Sequence, residues 1–328
     1  MITEILTPTK DNIKKAGRML REGKLVAFPT ETVYGLGADA FNEEAVKAVY
    51  KAKGRPSDNP MIVHIADFDG INSLAAEVTD DMKKLACALW PGPLTMVCKK
   101  VGKLPKVTTG GLDTVGIRMP ENEIARAMIK NAGVPVAAPS ANLSGKPAPT
   151  KKEHVIHDLD GRVDCILTGD DSRVGIESTV IDMTGDVPVI LRPGVLGKDT
   201  IGKILNKEVI VDKGLVSDDE IPKAPGMKYR HYAPEAEMVI YKGEHEAVNS
   251  RIKKEKEKYE SLGKSVGVIL FDKEEYLKAA HEFFARLREL DEEGVDIILA
   301  GALSEEDDVG FAVMNRMLKS SGFNVEEI

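Results

Sequence analysis

A change of pattern partway along the chain constrains its fold more than any other feature. Short apolar runs alternate with helical stretches up to about residue 205, and periodicity then fades over 211–237. From Met238 a tighter strand–helix–strand–helix order takes over. Strands interleaved with helices exclude an all-helical bundle or an all-β sandwich and point to α/β packing. In the first part, 24–30, 60–65, 94–99, 114–119, 134–139, 178–183 and 187–192 read as strands, with helices predicted near 10–22, 43–53, 79–89 and 121–131. The helix over 43–53 sets Ala45, Val49 and Ala52 on one buried face. Several strands follow one another without a helix between them, which predicts a mixed sheet.

The chain has 328 residues, enough for two domains. We place the first over 1–210, a linker over 211–237 and a small α/β domain over 238–328. In the small domain a helix near 274–290 carries Leu277, Ala280, Phe284 and Leu287 on one stripe. The linker is dense in rings and cations around Lys228, Tyr229, Arg230 and Tyr232, a make-up that can fold back over a pocket and stack on a base.

Charge and cysteine usage narrow the function classes. The net charge is −8, and 239–328 holds 13 Lys and Arg against 20 Asp and Glu, so the rest of the chain is close to neutral. An acidic C-terminal part is a poor surface for sliding along nucleic acid. No apolar run approaches the ~18 residues of a membrane span, and MITEILTPTK has no signal-peptide core. Cys87, Cys98 and Cys165 lack CxxC spacing. They form neither a disulfide framework nor a thiolate zinc site, so a reducing cytoplasm is the expected compartment.

Two motif-like stretches are set aside. Gly35-Leu36-Gly37-Ala38-Asp39-Ala40 fits a dinucleotide fingerprint in letters, but Thr30, Glu31, Thr32 and Tyr34 intervene where an immediate turn is needed. Gly263-Lys264-Ser265 ends like a P-loop, yet Lys258 stands where its first glycine belongs. The histidines show no metal-ligand spacing.

Chemistry concentrates at strand ends. Pro29 to Gly37 combines hydroxyls and glycines, either as a ligand loop or as a capped turn. Lys51, Lys53 and Arg55 end a helix, as dipole complements or as a phosphate clamp. Arg118 sits between Ile117 and Met119 in an apolar strand and needs an anionic partner, either a substrate carboxylate or a structural Asp or Glu. Ala138 to Pro147 packs small, hydroxyl and amide residues, a ligand loop or an Asx/Ser turn. Ser178 opens one strand and Arg192 closes the next. No nucleophile–base pair stands out. A set of donors and cations handles an anionic ligand by positioning and charge neutralisation.

In their order along the chain, these segments resemble the YrdC-like family of threonylcarbamoyl-AMP synthases in its long, two-domain form. The matching pieces are PTETVYGLG (29–37), KGRPSDNP (53–60), PGPLT (91–95), IRMP (117–120), APSANLSGKPAPT (138–150), STVID (178–182), LRPG (191–194), PGMKYRHYAP (225–234) and GFAVMNRMLKSS (310–321). The resemblance implies an α/β fold: a YrdC-like open, twisted, mixed sheet with helices, the linker folding over its active site, and a smaller Rossmann-like domain. It implies condensation of L-threonine, bicarbonate and ATP to threonylcarbamoyl-adenylate and pyrophosphate, with Mg²⁺ accompanying ATP. The product would pass to a partner tRNA threonylcarbamoyl transferase; whether this chain touches tRNA is left open.

By the same resemblance, Lys53 and Arg55 are expected to be catalytic. Thr32, His64, Arg118, Ala138 and Ser178 would meet threonine, Arg118 taking its carboxylate. Arg55, Asn59, Thr114, Ser140, Asn142, Arg192 and Tyr232 would meet ATP, and no protein-held metal is expected. His64 also reads as a core histidine. The alternatives are an RNA-binding module without ATP turnover, and a carbamoyl-transfer domain of the hydrogenase-maturation type, whose Cys-rich zinc modules this chain lacks.

Overall fold

A computed structural model describes residues 2–212 and 232–328. Most of the expected linker, 213–231, lies outside the described residues. The first part runs β1 (Glu4–Leu6), α1 (Lys10–Arg21), β2 (Val26–Phe28), β3 (Gly35–Asp39), α2 (Glu43–Lys53), β4 (Ile62–His64), α3 (Asp80–Leu89), β5 (Leu94–Lys99) and β6 (Thr114–Arg118). It continues with α4 (Glu123–Ala132), β7 (Val136–Ala138), α5 (Lys152–Leu159), β8 (Cys165–Leu167), β9 (Thr179–Asp182), β10 (Val189–Arg192), α6 (Lys198–Leu205) and β11 (Ile210–Val211). These strands form one mixed sheet in the order β1-β8-β2-β3-β7-β4-β6-β5-β9-β10-β11.

Side-chain alternation gives this sheet two unlike faces. On one, Ala27, Leu36, Val63, Met96, Val115, Ile117 and Ile181 pack under α2, α3, α5 and α6 as the main core. On the other, α1 and α4 cover only the half built from β8, β2 and β7, through Leu20, Met128 and Ile129. The remaining half presents Ile62, Val97, Val180 and Leu191, a cluster drawn from strands only. That half, free of helices among the described residues, is where the cleft lies.

The second part runs β12 (Glu237–Lys242), α7 (His245–Ser261), β13 (Val266–Ile269), α8 (Tyr276–Glu293), β14 (Ile297–Gly301), α9 (Asp308–Ser321) and β15 (Val325–Glu327). Its sheet, β13-β14-β12-β15, is parallel throughout. α7 packs on one face through Val248 and Ile252. α8 and α9 pack on the other, and their core extends to Val33, Ala148, Val174 and Ile176 of the first part. Gly175, at φ 84°, makes this docking close: a Cβ there would stand 2.3 Å from the Ala280 carbonyl of α8.

Several elements differ from the sequence reading. The segment fitting a dinucleotide fingerprint is mostly β3, hydrogen-bonded antiparallel to β2; its glycines lie within the strand, and the turn into α2 over 40–42 contains none to cradle a pyrophosphate. β1, β8, β11 and β15 are two- or three-residue strands, too short to show a period of two. α5 and α6 span eight residues each and were not anticipated. Leu277 lies on the predicted stripe but in the first turn of α8, and it is 70% exposed. The buried face begins at Ala279 and Ala280 and continues through Phe283, Phe284 and Leu287.

Candidate functional site

The cleft occupies about 750 Å³, its open mouth included. Its floor is the sheet face that no described helix covers. Pairing of β4 with β6 sets His64 beside Arg118 and Ile62 beside Gly116, while Ile62 faces Ala138 of β7. Among the described lining residues, Lys53, Arg55, Arg118, Lys146 and Arg192 face the one carboxylate of Glu177. That imbalance suits an anionic ligand.

Arg118 is buried and held from three sides. Its Nη1 donates to Thr32 Oγ1 (2.8 Å), its Nε donates to the Gly92 carbonyl (3.3 Å), and its Nη2 lies 2.7 Å from Glu31 Oε1. That last contact is close enough for an ion pair but not directed as a hydrogen bond, so the Nη2 and both Glu31 oxygens lack hydrogen-bond partners among the described residues. Of the two partners left open by the sequence, the structural carboxylate is present, and the guanidinium still lines the cleft. The Thr32 hydroxyl also shares a hydrogen bond with Thr30 Oγ1 (2.9 Å).

His64 is buried with its ring edge-on to Phe28, centroids 6.0 Å apart. Its Nδ1 has no hydrogen-bond partner among the described residues. Burial, and then the neighbouring Arg118 charge, pull the imidazole down to about 3. It is therefore neutral near pH 7 and offers a hydrogen bond rather than a charge. Its unfolded value lies near 6.5, so between these limits the unfolded chain binds the proton and the folded chain does not. The His64 contribution to stability is undiminished above pH ~6.5 and is eroded as pH falls toward 3. His154, also drawn down to about 3 by burial and then by Arg288, adds in the same direction. In a titration followed by nuclear magnetic resonance, the His64 ring should show no step between about pH 5 and pH 8; a midpoint near the ordinary value would overturn this.

Two loops supply the phosphate-sized donors. α2 ends at Gly54 in a left-handed cap (φ 64°), with Lys53 before it and Arg55 after it. Lys53 Nζ donates to the carbonyls of Ser140 (2.6 Å) and Asn142, which ties α2 to the loop after β7. Burial, and then the Arg55 charge, lower the Lys53 ammonium well below its usual value. Arg55 Nη2 donates to the Asn59 and Pro60 carbonyls (3.2 and 3.0 Å), and its buried Nε has no hydrogen-bond partner among the described residues. Ser140 Oγ donates to Asn142 Oδ1 (2.5 Å), and Asn142 Nδ2 closes the loop onto the Leu143 and Lys146 carbonyls.

Arg192 reaches the cleft through a register shift. Between Ile190 and Arg192 the β9–β10 pairing slips by one residue, so Arg192 stands opposite Val180 and takes its face. Its Nε and Nη2 donate to Ser178 O and Ser178 Oγ, each at 3.1 Å. Burial brings the guanidinium down to about 10, which still leaves it charged at neutral pH. Tyr232 lines the cleft with its hydroxyl on Glu177 and its ring 4.9 Å from that of Phe284 in α8.

Thus Thr32, Lys53, Arg55, His64, Arg118, Ala138, Ser140, Asn142, Arg192 and Tyr232 converge on one cleft. Three anticipated residues lie off its wall. Ser178 is wholly buried behind Arg192 and Thr95. Asn59 is buried, its carbonyl taken by Tyr50 and Arg55. Thr114 lines an adjoining groove of about 280 Å³ that shares Ile62 with the cleft. Glu31 and Glu177 were not anticipated; each directly precedes an anticipated hydroxyl residue, and only the fold shows that they face guanidiniums.

Comparisons with known proteins cover both parts. Residues 18–194 match the Sua5/YciO/YrdC family model, described as "Telomere recombination". Residues 197–322 match the model described as "Threonylcarbamoyl-AMP synthase, C-terminal domain". The chain is 48% identical over 326 residues to the threonylcarbamoyl-AMP synthase of Pyrococcus abyssi, covering 96% of each. It is 44% identical over 342 residues to the Bacillus subtilis protein of the same name, covering 99% of this chain and 97% of that one. A Pyrococcus abyssi crystal structure complexed with L-threonine matches with TM-score 0.94 and 45% identity over all of both chains.

Proposed function

We infer, since this chain belongs to the threonylcarbamoyl-AMP synthase family, that its cleft joins L-threonine, bicarbonate and ATP into threonylcarbamoyl-adenylate and releases pyrophosphate. The activity is a nucleotidyl transfer, and the RNA-binding alternative is not favoured. The observation that carries the reading at residue level is the convergence of Arg118, Arg55 and Arg192 on a cleft with a single carboxylate among its described lining residues.

In this reading bicarbonate loses hydroxide to give CO2, the threonine amine bonds to its carbon, and the proton the amine gives up joins that hydroxide as water. The resulting carbamate oxygen attacks the α-phosphorus of ATP in line, and the bond to the bridging oxygen of pyrophosphate breaks. Both partners are anions, so alignment and charge neutralisation dominate. Arg118 holds the amino-acid carboxylate, with Thr32 and the neutral His64 beside it, and Ala138 leaves room for the substrate. Arg55 and Arg192 neutralise the phosphates. Lys53, Asn142 and Ser140 shape the loop below them, and Ser178 orients Arg192. Asn59 braces Arg55, Thr114 borders the groove toward which the nucleoside extends, and Tyr232 closes over it.

Mg²⁺ is proposed to enter with ATP. Among the described residues no cluster of three His, Cys, Asp or Glu side chains could hold it, and Glu177 is engaged by Arg316. In this reading phosphate oxygens and water supply its shell. Among the described residues no helix is long and apolar enough to cross a membrane. We propose a cytoplasmic enzyme that hands its product to a tRNA threonylcarbamoyl transferase.

The test is pyrophosphate release by the purified chain with ATP, Mg²⁺, bicarbonate and threonine, each omitted in turn. Release that requires both threonine and bicarbonate is expected. Release without threonine would point to another acceptor or to plain hydrolysis. No release at all would return weight to RNA binding, read next by a salt-titrated tRNA assay.

A further inference from the structure

The C-terminal domain reaches the cleft through a side chain that no role so far accounts for. Arg316 of α9 is fully buried. Its Nε and Nη2 both donate to Glu177 Oε2 at 3.2 Å, and its Nη1 donates to the carbonyls of Pro193 and, at 3.1 Å, Ala312. It thus grips the residue before Ser178 and the residue after Arg192. These are the two strand ends that Arg192 itself joins through Ser178.

We propose that Arg316 is a positioning residue of the nucleotide site, holding the Glu177 carboxylate so that this charge does not neutralise Arg192. This rests on the reading of the cleft as an ATP site. Burial raises the Glu177 carboxyl, but the charges of Arg316 and then Arg192 outweigh it and hold the group below its ordinary value. Burial keeps the Tyr232 phenol neutral. Two guanidiniums against one carboxylate and one phenol leave this cluster of described residues with a single excess positive charge, beside the other cations that line the cleft. Without Arg316, Glu177 and Arg192 cancel, and the attraction for phosphate falls. A purely mechanical role, fastening the domain, would not depend on the charge at Glu177.

The test uses the full chain and two readouts. Binding of α,β-methylene ATP, which cannot release pyrophosphate, is measured by calorimetry, and the threonine KM by pyrophosphate release. Arg316→Met is expected to weaken the analogue about tenfold while the threonine KM moves less than about threefold. Adding Glu177→Gln is expected to bring binding back to within about threefold of the parent. Unchanged binding in Arg316→Met, or no recovery in the double variant, overturns the proposal. If melting shows that Arg316→Met does not fold, the charge-keeping Arg316→Lys and the double variant carry the test. Both are expected within about threefold of the parent, and about tenfold weakening in either overturns it. A parent that binds no analogue would fail the ATP reading itself, whereas a parent that binds while Arg316→Met is unaffected fails this proposal alone.

Discussion

Arg118→Ala is expected to raise the threonine KM about a hundredfold while the KM for ATP changes less than about threefold. The size follows from what the substitution removes and what it leaves. A desolvated guanidinium facing a substrate carboxylate contributes on the order of 3 kcal/mol, and its loss strands the buried Glu31 carboxylate beside the same position. A lone negative charge there repels the incoming carboxylate. Pairing the change with Glu31→Gln is therefore expected to recover part of the loss, because the repulsive charge goes with it. Steady-state kinetics on purified, folded variants check this, with melting curves to separate destabilisation from binding. A threonine KM within about threefold of the parent in Arg118→Ala would remove the carboxylate role from Arg118.

Arg288→Ala should cost about 3–5 kcal/mol of stability. Arg288 of α8 is buried and forks onto Asp158 of α5, Nη1 to Oδ1 at 3.2 Å and Nη2 to Oδ2 at 2.7 Å. It also donates to the Pro147 carbonyl from Nε (3.2 Å) and Nη2 (2.6 Å). Asp158 in turn accepts from the Leu143 amide (3.2 Å), so one guanidinium fastens α8 to the loop that carries Ser140 and Asn142. Burial raises the Asp158 carboxyl, but its bonds to Arg288 win and hold it below the ordinary carboxylate value. A depressed acid stabilises the fold above its unfolded value, near 3.9, and loses that contribution as pH falls through the folded value. Lysine cannot reproduce the fork, so Arg288→Lys should recover little. Urea denaturation at neutral pH measures the loss, and a change below about 1 kcal/mol would show the pair to be worth little.

The residues that sequence reasoning assigned to one site do lie mostly in one cleft, and the reason is local. Thr32, Arg55, Ser140 and Arg192 stand at the ends of, or in the loops just after, helices and strands whose apolar runs are readable along the chain. Arg118 could be singled out because a charge within an apolar strand has to meet an opposite charge. The pattern did not specify which opposite charge. Glu31 lies 87 residues away in sequence and reaches Arg118 only because β4 and β7 bring the Pro29–Gly37 loop over β6. The face taken by Arg192 was likewise unreadable. Strict alternation would place it with Ile190, and only the pairing slip against β9 turns it toward the cleft.

By itself, then, the amino-acid sequence determined an α/β chain with two differently patterned parts, the order of its longer elements, and a set of cations and hydroxyls at strand ends. These follow from periodicity and from the chemistry of single residues, which act over a few positions. The tertiary structure alone decided which half of the large sheet no described helix covers, that His64 is buried and neutral, and that Arg288 and Arg316 reach from one sheet's helices into the loops around the other's cleft. Those features depend on burial and on charges brought together from distant segments. Desolvation and Coulomb energy are set by distance in space, and the spacing of residues along the chain does not contain it.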